Sequence, residues 1–87
     1  MFFAYVLQNQ RSGKFYTGHT ADLAQRIGQH NRGITKSTKN RGNWKLIYHE
    51  SFATKAEAMR REKYLKTGKG REEIRSKLVG IDLEKRE

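Results

Sequence analysis

The segment Phe2 to Asn9 places Phe3, Tyr5 and Leu7 on one side of an extended chain and Phe2, Ala4 and Val6 on the other. That is a strand apolar on both faces, the pattern of one buried from both sides. The chain has 87 residues, of which 34% are hydrophobic. A chain this short buries roughly 60–65% of its unfolded surface, so it has one thin core and one domain. That domain is read as residues 1–80, followed by a charged tail over residues 81–87.

The rest of the chain falls into short elements. Asn9-Gln10-Arg11-Ser12-Gly13 is turn chemistry, and β-formers resume at Lys14-Phe15-Tyr16-Thr17-Gly18, so a hairpin is predicted. A two-residue loop at Gln10-Arg11 would set Tyr5 opposite Tyr16. Either Thr20 or Asp22 can cap a helix that runs to about Asn31 and closes at Gly33, with Leu23, Ile27 and His30 on one face. The polar, basic stretch from Ile34 to Asn43 reads as a loop. A third strand follows, with Trp44, Leu46, Tyr48 and Phe52 on one side as core. Thr54-Lys55-Ala56-Glu57 matches a capping box for a helix ending near Gly68, and a shorter helix spans Glu72 to Val79. The expected fold is α/β (α+β): a small three-stranded antiparallel sheet with flanking helices, in the order β-β-α-β-α-α.

Lys+Arg 19 against Asp+Glu 9 gives a net charge of +10. The partners of such a field are polyanions, DNA or RNA. No amphipathic basic helix with large apolar residues opposite suggests a membrane surface. The absence of cysteine excludes disulfide-linked partners, thiolate metal sites and a thiol nucleophile, and points to a reducing cytoplasm. Met1 to Leu7 is too short to span a bilayer and lacks the basic flank of a signal peptide. There is no acidic cluster for a two-metal phosphodiesterase, no glycine-rich nucleotide cradle and no Ser-His-Asp arrangement. Any hydrolysis must therefore run on one carboxylate and one metal.

A few residues stand out. Glu62 lies between Ala58 and Met59 on the apolar stripe of its helix, near Leu65. It is either the partner of Lys66 in an i,i+4 ion pair, the commoner case, or a metal-binding or general-base carboxylate. Arg26 and His30 stand four residues apart and can point to one place. Singly, each is more often a solvated charge or a structural histidine, but an arginine held on a rigid helix also suits a scissile phosphate. Tyr5 and Tyr16 are either a packing pair or, beside a metal and an arginine, phenols whose pKa is lowered enough to take a proton from water.

Together these residues resemble the GIY-YIG nuclease superfamily. The likeness is to its small stand-alone bacterial members and to the N-terminal nuclease module of the nucleotide-excision-repair incision subunit. Phe3-Ala4-Tyr5 stands at the first triplet and Tyr16-Thr17-Gly18 at the second. Asp22 to Asn31 resembles the helix with the family's arginine and histidine, and Glu57 to Glu62 the helix with its glutamate. The resemblance covers nearly the whole chain. It departs at Phe3, where the family has glycine, and at Ile74-Arg75-Ser76-Lys77, where many members have an asparagine; no Asn follows Asn43.

What the resemblance implies is a divalent-metal-dependent endonuclease that hydrolyses DNA phosphodiester bonds, structure-selective rather than sequence-selective, with a role in DNA repair. It makes Glu62 the ligand of a single Mg²⁺ or Mn²⁺. Arg26 then stabilises the phosphate charge with help from His30, Tyr5 acts as general base, and Tyr16 orients water or shares that role. Lys36, Lys39, Arg41, Arg60, Arg61 and Lys63 are the expected backbone contacts. The alternative is a non-catalytic nucleic-acid-binding module on the same fold; RNA as the substrate is equally open.

Overall fold

The computed structural model describes residues 1–31 and 44–86. Its elements are β1 (Phe2–Asn9), β2 (Phe15–Thr20), α1 (Leu23–Asn31), β3 (Trp44–Phe52), α2 (Lys55–Leu65) and α3 (Gly68–Arg86). The three strands form one antiparallel sheet in the order β2-β1-β3, so the expected α+β architecture is present. The doubly apolar strand β1 is central. Ala4, Tyr5, Val6 and Leu7 are all fully buried, which explains why neither of its faces carries a polar residue there.

Each face has its own cluster. On one, Ala4 and Val6 pack with Leu65 and Ile74 of α2 and α3. On the other, Tyr5, Leu7 and Trp44 pack with Leu23 and Ile27 of α1. Helices thus cover both sides of a sheet only three strands wide.

The hairpin differs from the two-residue loop expected. Tyr5 pairs with Gly18 and Tyr16 with Leu7. The nearly buried Asn9 is the cause: its Oδ1 accepts from the amides of Arg11 at 2.9 Å and Ser12 at 3.0 Å, and its carbonyl from Gly13 at 2.8 Å. Gly13 closes the turn at φ 75°, a conformation open to glycine at little cost. The longer loop slips the register by two residues, which keeps every side chain on its expected face.

The third strand also departs from a simple alternation. A bulge against Val6/Leu7 leaves Ile47 as an extra residue. Trp44 and Leu46 therefore face the α1 side, while Tyr48 and Phe52 face α2 and α3. Tyr48 is only partly buried and hydrogen-bonds to Glu50 at 2.5 Å.

At the helix termini, Asp22 is the residue that caps α1, its Oδ1 accepting from the Gln25 amide at 3.1 Å. The Thr54 hydroxyl accepts from the Glu57 amide at 3.2 Å, as a capping box requires. The last helix is longer than expected: α3 begins at Gly68 and continues through Gly80 to Arg86. An isolated glycine inside a helix costs only about 1 kcal/mol, so Gly80 does not stop it. Gly70 serves another purpose, because a Cβ there would lie 2.5 Å from Leu65 Cα and against the Tyr64 carbonyl. The missing side chain lets α3 start hard against the end of α2.

Candidate active site

Three of the expected site residues meet on the α1 side of the sheet. Tyr5 projects from central strand β1 across edge strand β2, and its hydroxyl lies 2.7 Å from where a Cβ on Gly18 would be. The second triplet therefore ends in glycine for want of space. The same hydroxyl is 3.0 Å from His30 Nε2. The His30 ring leans on Tyr16 with centroids 4.4 Å apart, and Tyr5 and Tyr16 are 6.4 Å apart. Tyr16 in turn meets Trp44 edge-on at 6.3 Å.

The electrostatics of this group follow from burial. His30 is fully buried. Desolvation, reinforced by the Arg26 charge, brings its pKa down to about 4, so the imidazole is neutral near pH 7. Burial also pushes the Tyr5 phenol above its ordinary value, against the pull of a hydrogen bond from Arg26. Without a metal beside it the phenol is thus raised rather than lowered, because loss of water outweighs the neighbouring cation.

Arg26 completes the cluster. One of its terminal nitrogens donates to Gln29 Oε1 at 3.0 Å, while its Nε is buried without a hydrogen-bond partner. An unsatisfied buried donor on a charged group is costly; the buried Trp44 Nε1 is likewise without a partner. Asn31 then anchors the end of α1. Its side chain donates to the Trp44 carbonyl at 3.1 Å and accepts from the Trp44 amide at 2.7 Å.

Glu62 approaches from α2, close enough for its charge to act on Tyr5. Its carboxylate is held at both oxygens, Oε1 by His19 Nδ1 at 2.5 Å and Oε2 by Lys66 Nζ at 2.9 Å. The i,i+4 ion pair weighed from the sequence is present. Burial pushes the Glu62 carboxyl up, but the bonds from Lys66 and His19 outweigh it and leave the pKa below its ordinary value. The side chain remains 18% exposed.

His19 was not legible as a site residue. It follows the second triplet directly, and only strand parity distinguishes it: it pairs with Ala4, so it lies on the face opposite Tyr16 and Gly18. The site therefore wraps the β2 edge, with the tyrosines, Arg26 and His30 on one face and the His19–Glu62 contact on the other.

Among the described residues no three metal-ligating side chains converge. A single ionised, partly exposed carboxylate nevertheless fits Mg²⁺, which keeps most of its waters and takes its remaining ligands from substrate phosphate. Glu62 is the residue that would hold it.

The expected backbone contacts divide. Arg60 and Lys63 are exposed on α2. Arg61 is turned inward, where it ion-pairs with Glu73 of α3 and with Glu50 of β3 at 3.3 Å and donates to the Tyr48 hydroxyl at 3.2 Å. It joins three elements and is not available as a phosphate contact. Lys36, Lys39 and Arg41 lie outside the described residues.

In sequence and in fold the chain is similar to known proteins. The GIY-YIG catalytic domain family matches residues 1–75. The UPF0213 protein SSP2268 of Staphylococcus saprophyticus is 45% identical over 58 residues, covering 66% of this chain and 71% of that protein. The UPF0213 protein SAV0488 of Staphylococcus aureus is 41% identical over 66 residues, covering 75% and 79%. The solution structure of the UPF0213 protein BH0048 from Bacillus halodurans superimposes with a TM-score of 0.52 at 35% identity, covering 87% of this chain and 84% of that one.

Proposed function

Because this chain belongs to the GIY-YIG catalytic-domain family, we propose that it is a divalent-metal-dependent endonuclease that hydrolyses DNA phosphodiester bonds. The observation that carries the reading is Arg26, whose Nε is buried without an acceptor beside Tyr5, Tyr16 and His30. A phosphate oxygen is the natural partner of that guanidinium.

Glu62 would hold the metal, which when bound would supply Lewis-acid stabilisation of the phosphoryl oxygens. The protein's own groups do the remainder. Arg26 takes up the charge that grows on the phosphate. Beside Arg26 and a bound metal the Tyr5 phenol would ionise and accept a proton from the attacking water, with His30 Nε2, 3.0 Å away, holding its oxygen in place. Burial raises the pKa of that phenol, so its ionisation depends on the cations beside it, Arg26 and the metal. Tyr16 packs on His30 and fixes the plane of the acceptor ring. Arg60 and Lys63 track the backbone, with Lys36, Lys39 and Arg41 in the same role. In this reading the basic side chains grip phosphates and position the duplex, and selectivity is for DNA structure rather than sequence.

The test is to incubate wild-type protein, Glu62→Gln and Tyr5→Phe with duplex, single-stranded, flapped and branched DNA, and with the matching RNAs, in Mg²⁺, Mn²⁺ or EDTA. Metal-dependent cutting that disappears in both variants supports the proposal and names the favoured substrate. Binding without cutting by any of the three supports a non-catalytic nucleic-acid-binding module, the reading favoured by the occupation of both Glu62 oxygens by protein cations.

A further inference from the structure

We infer that His19 is a second protein ligand of the metal, so that the ion sits between His19 Nδ1 and Glu62 Oε1 and the site prefers transition ions such as Mn²⁺ to Mg²⁺. The inference rests on the metal-site reading of Glu62 and deepens it.

The two atoms lie 2.5 Å apart, brought together from β2 and α2 across 43 positions of sequence. Both are of the kinds that ligate divalent metals, and both side chains reach water, with 28% of His19 and 18% of Glu62 exposed. A hydrated ion can therefore reach them without opening the core. Two ligand atoms at bonds of about 2.1 Å and roughly right angles stand about 3 Å apart. Widening the present contact by half an ångström is within the reach of a partly exposed histidine on an edge strand. The other carboxylate oxygen is held by Lys66, whose side chain is 55% exposed and can turn to solvent. The ion would then lie at the β2 edge, across that strand from Arg26 and the tyrosine hydroxyls.

The added ligand alters the chemistry. One carboxylate binds a hydrated Mg²⁺ weakly and depends on substrate phosphate for its other ligands. Imidazole favours the transition metals, and a pair of protein ligands retains an ion before any nucleic acid arrives. Loss even of an outer-shell partner lowers metal affinity by about 10- to 100-fold, so loss of a direct ligand lowers it at least as much.

The experiment uses the full chain without nucleic acid. Mn²⁺ is titrated into wild-type protein, Glu62→Gln, His19→Gln and His19→Asn, with circular dichroism to confirm folding. Bound Mn²⁺ is examined by electron spin echo envelope modulation, which detects a directly coordinated ¹⁴N nucleus. The expected result is Mn²⁺ uptake by the wild type with a ¹⁴N signal, loss of that signal in either His19 variant with at least about tenfold weaker binding, and no uptake by Glu62→Gln. Bound Mn²⁺ without a ¹⁴N signal, or His19 variants that bind as the wild type does, overturns the role of His19 and leaves Glu62 as sole ligand. No uptake by the free wild type also overturns it. A single-carboxylate site completed by phosphate would survive that result, and the cleavage assay then decides it.

Discussion

A side chain on Gly18 would occupy the place taken by the Tyr5 hydroxyl, 2.7 Å from its Cβ position. Gly18→Ala must therefore tilt a fully buried ring away from His30. The expected cost is about 1–3 kcal/mol in urea unfolding, together with a fall in cleavage out of proportion to that cost. Combining it with Tyr5→Phe should recover part of the stability and none of the activity. A Gly18→Ala protein as stable as the wild type would mean that the ring has room it does not have here.

Acid should weaken the fold through His30. Its folded pKa of about 4 lies below the ordinary 6.5, so between those values the unfolded chain binds a proton that the folded one does not. Stability from this group is complete above pH 6.5 and is lost as the pH falls toward 4, by at most about 3 kcal/mol. Chemical denaturation at a series of pH values should show this slope, and His30→Gln should flatten it.

Arg61 and Arg60 are neighbours with different work. Arg61→Met is expected to destabilise by about 1–2 kcal/mol, since it removes the cation shared by the partly exposed Glu73 and Glu50, while the salt dependence of DNA binding stays unchanged. Arg60→Ala should leave the unfolding midpoint alone and lower the slope of log K against log salt by about one. The reverse pattern would place Arg61 on the DNA.

The two glycines that open α3 should respond oppositely. Gly70→Ala meets the backbone of Tyr64 and Leu65, which has no flexible end to move aside, and should cost about 3 kcal/mol or more in the same unfolding assay. Gly68→Ala meets nothing within 4 Å and should be neutral or stabilising by up to about 1 kcal/mol.

The sequence was most informative where a local rule had no competitor. The doubly apolar run of β1, the Thr54 capping box and the order of elements follow from periodicity and capping chemistry, and each is present. Register was less legible. The hairpin length depended on whether Asn9 would use its side chain to fold the turn, and the split of β3 depended on a bulge at Ile47; neither leaves a mark on hydrophobic alternation. That Tyr5, Tyr16, Arg26 and His30 lie together was legible because each stands in a short stretch of sequence with a clear strand or helix period. The His19–Glu62 and Arg61–Glu73 contacts were not legible because they join residues 43 and 12 positions apart, and no helix or strand period encodes such a pairing.

The placement of Tyr5 on the central strand has a consequence for how the protein opens. Residues 4–7 are buried on both faces and bonded on both edges, so their amides should exchange with solvent only when the whole molecule unfolds. The hydroxyl proposed to take the proton from water then belongs to the last cooperative unit to come apart. Opening of a loop or fraying of a terminus will not displace it, and heat should end activity in the same step that melts the sheet.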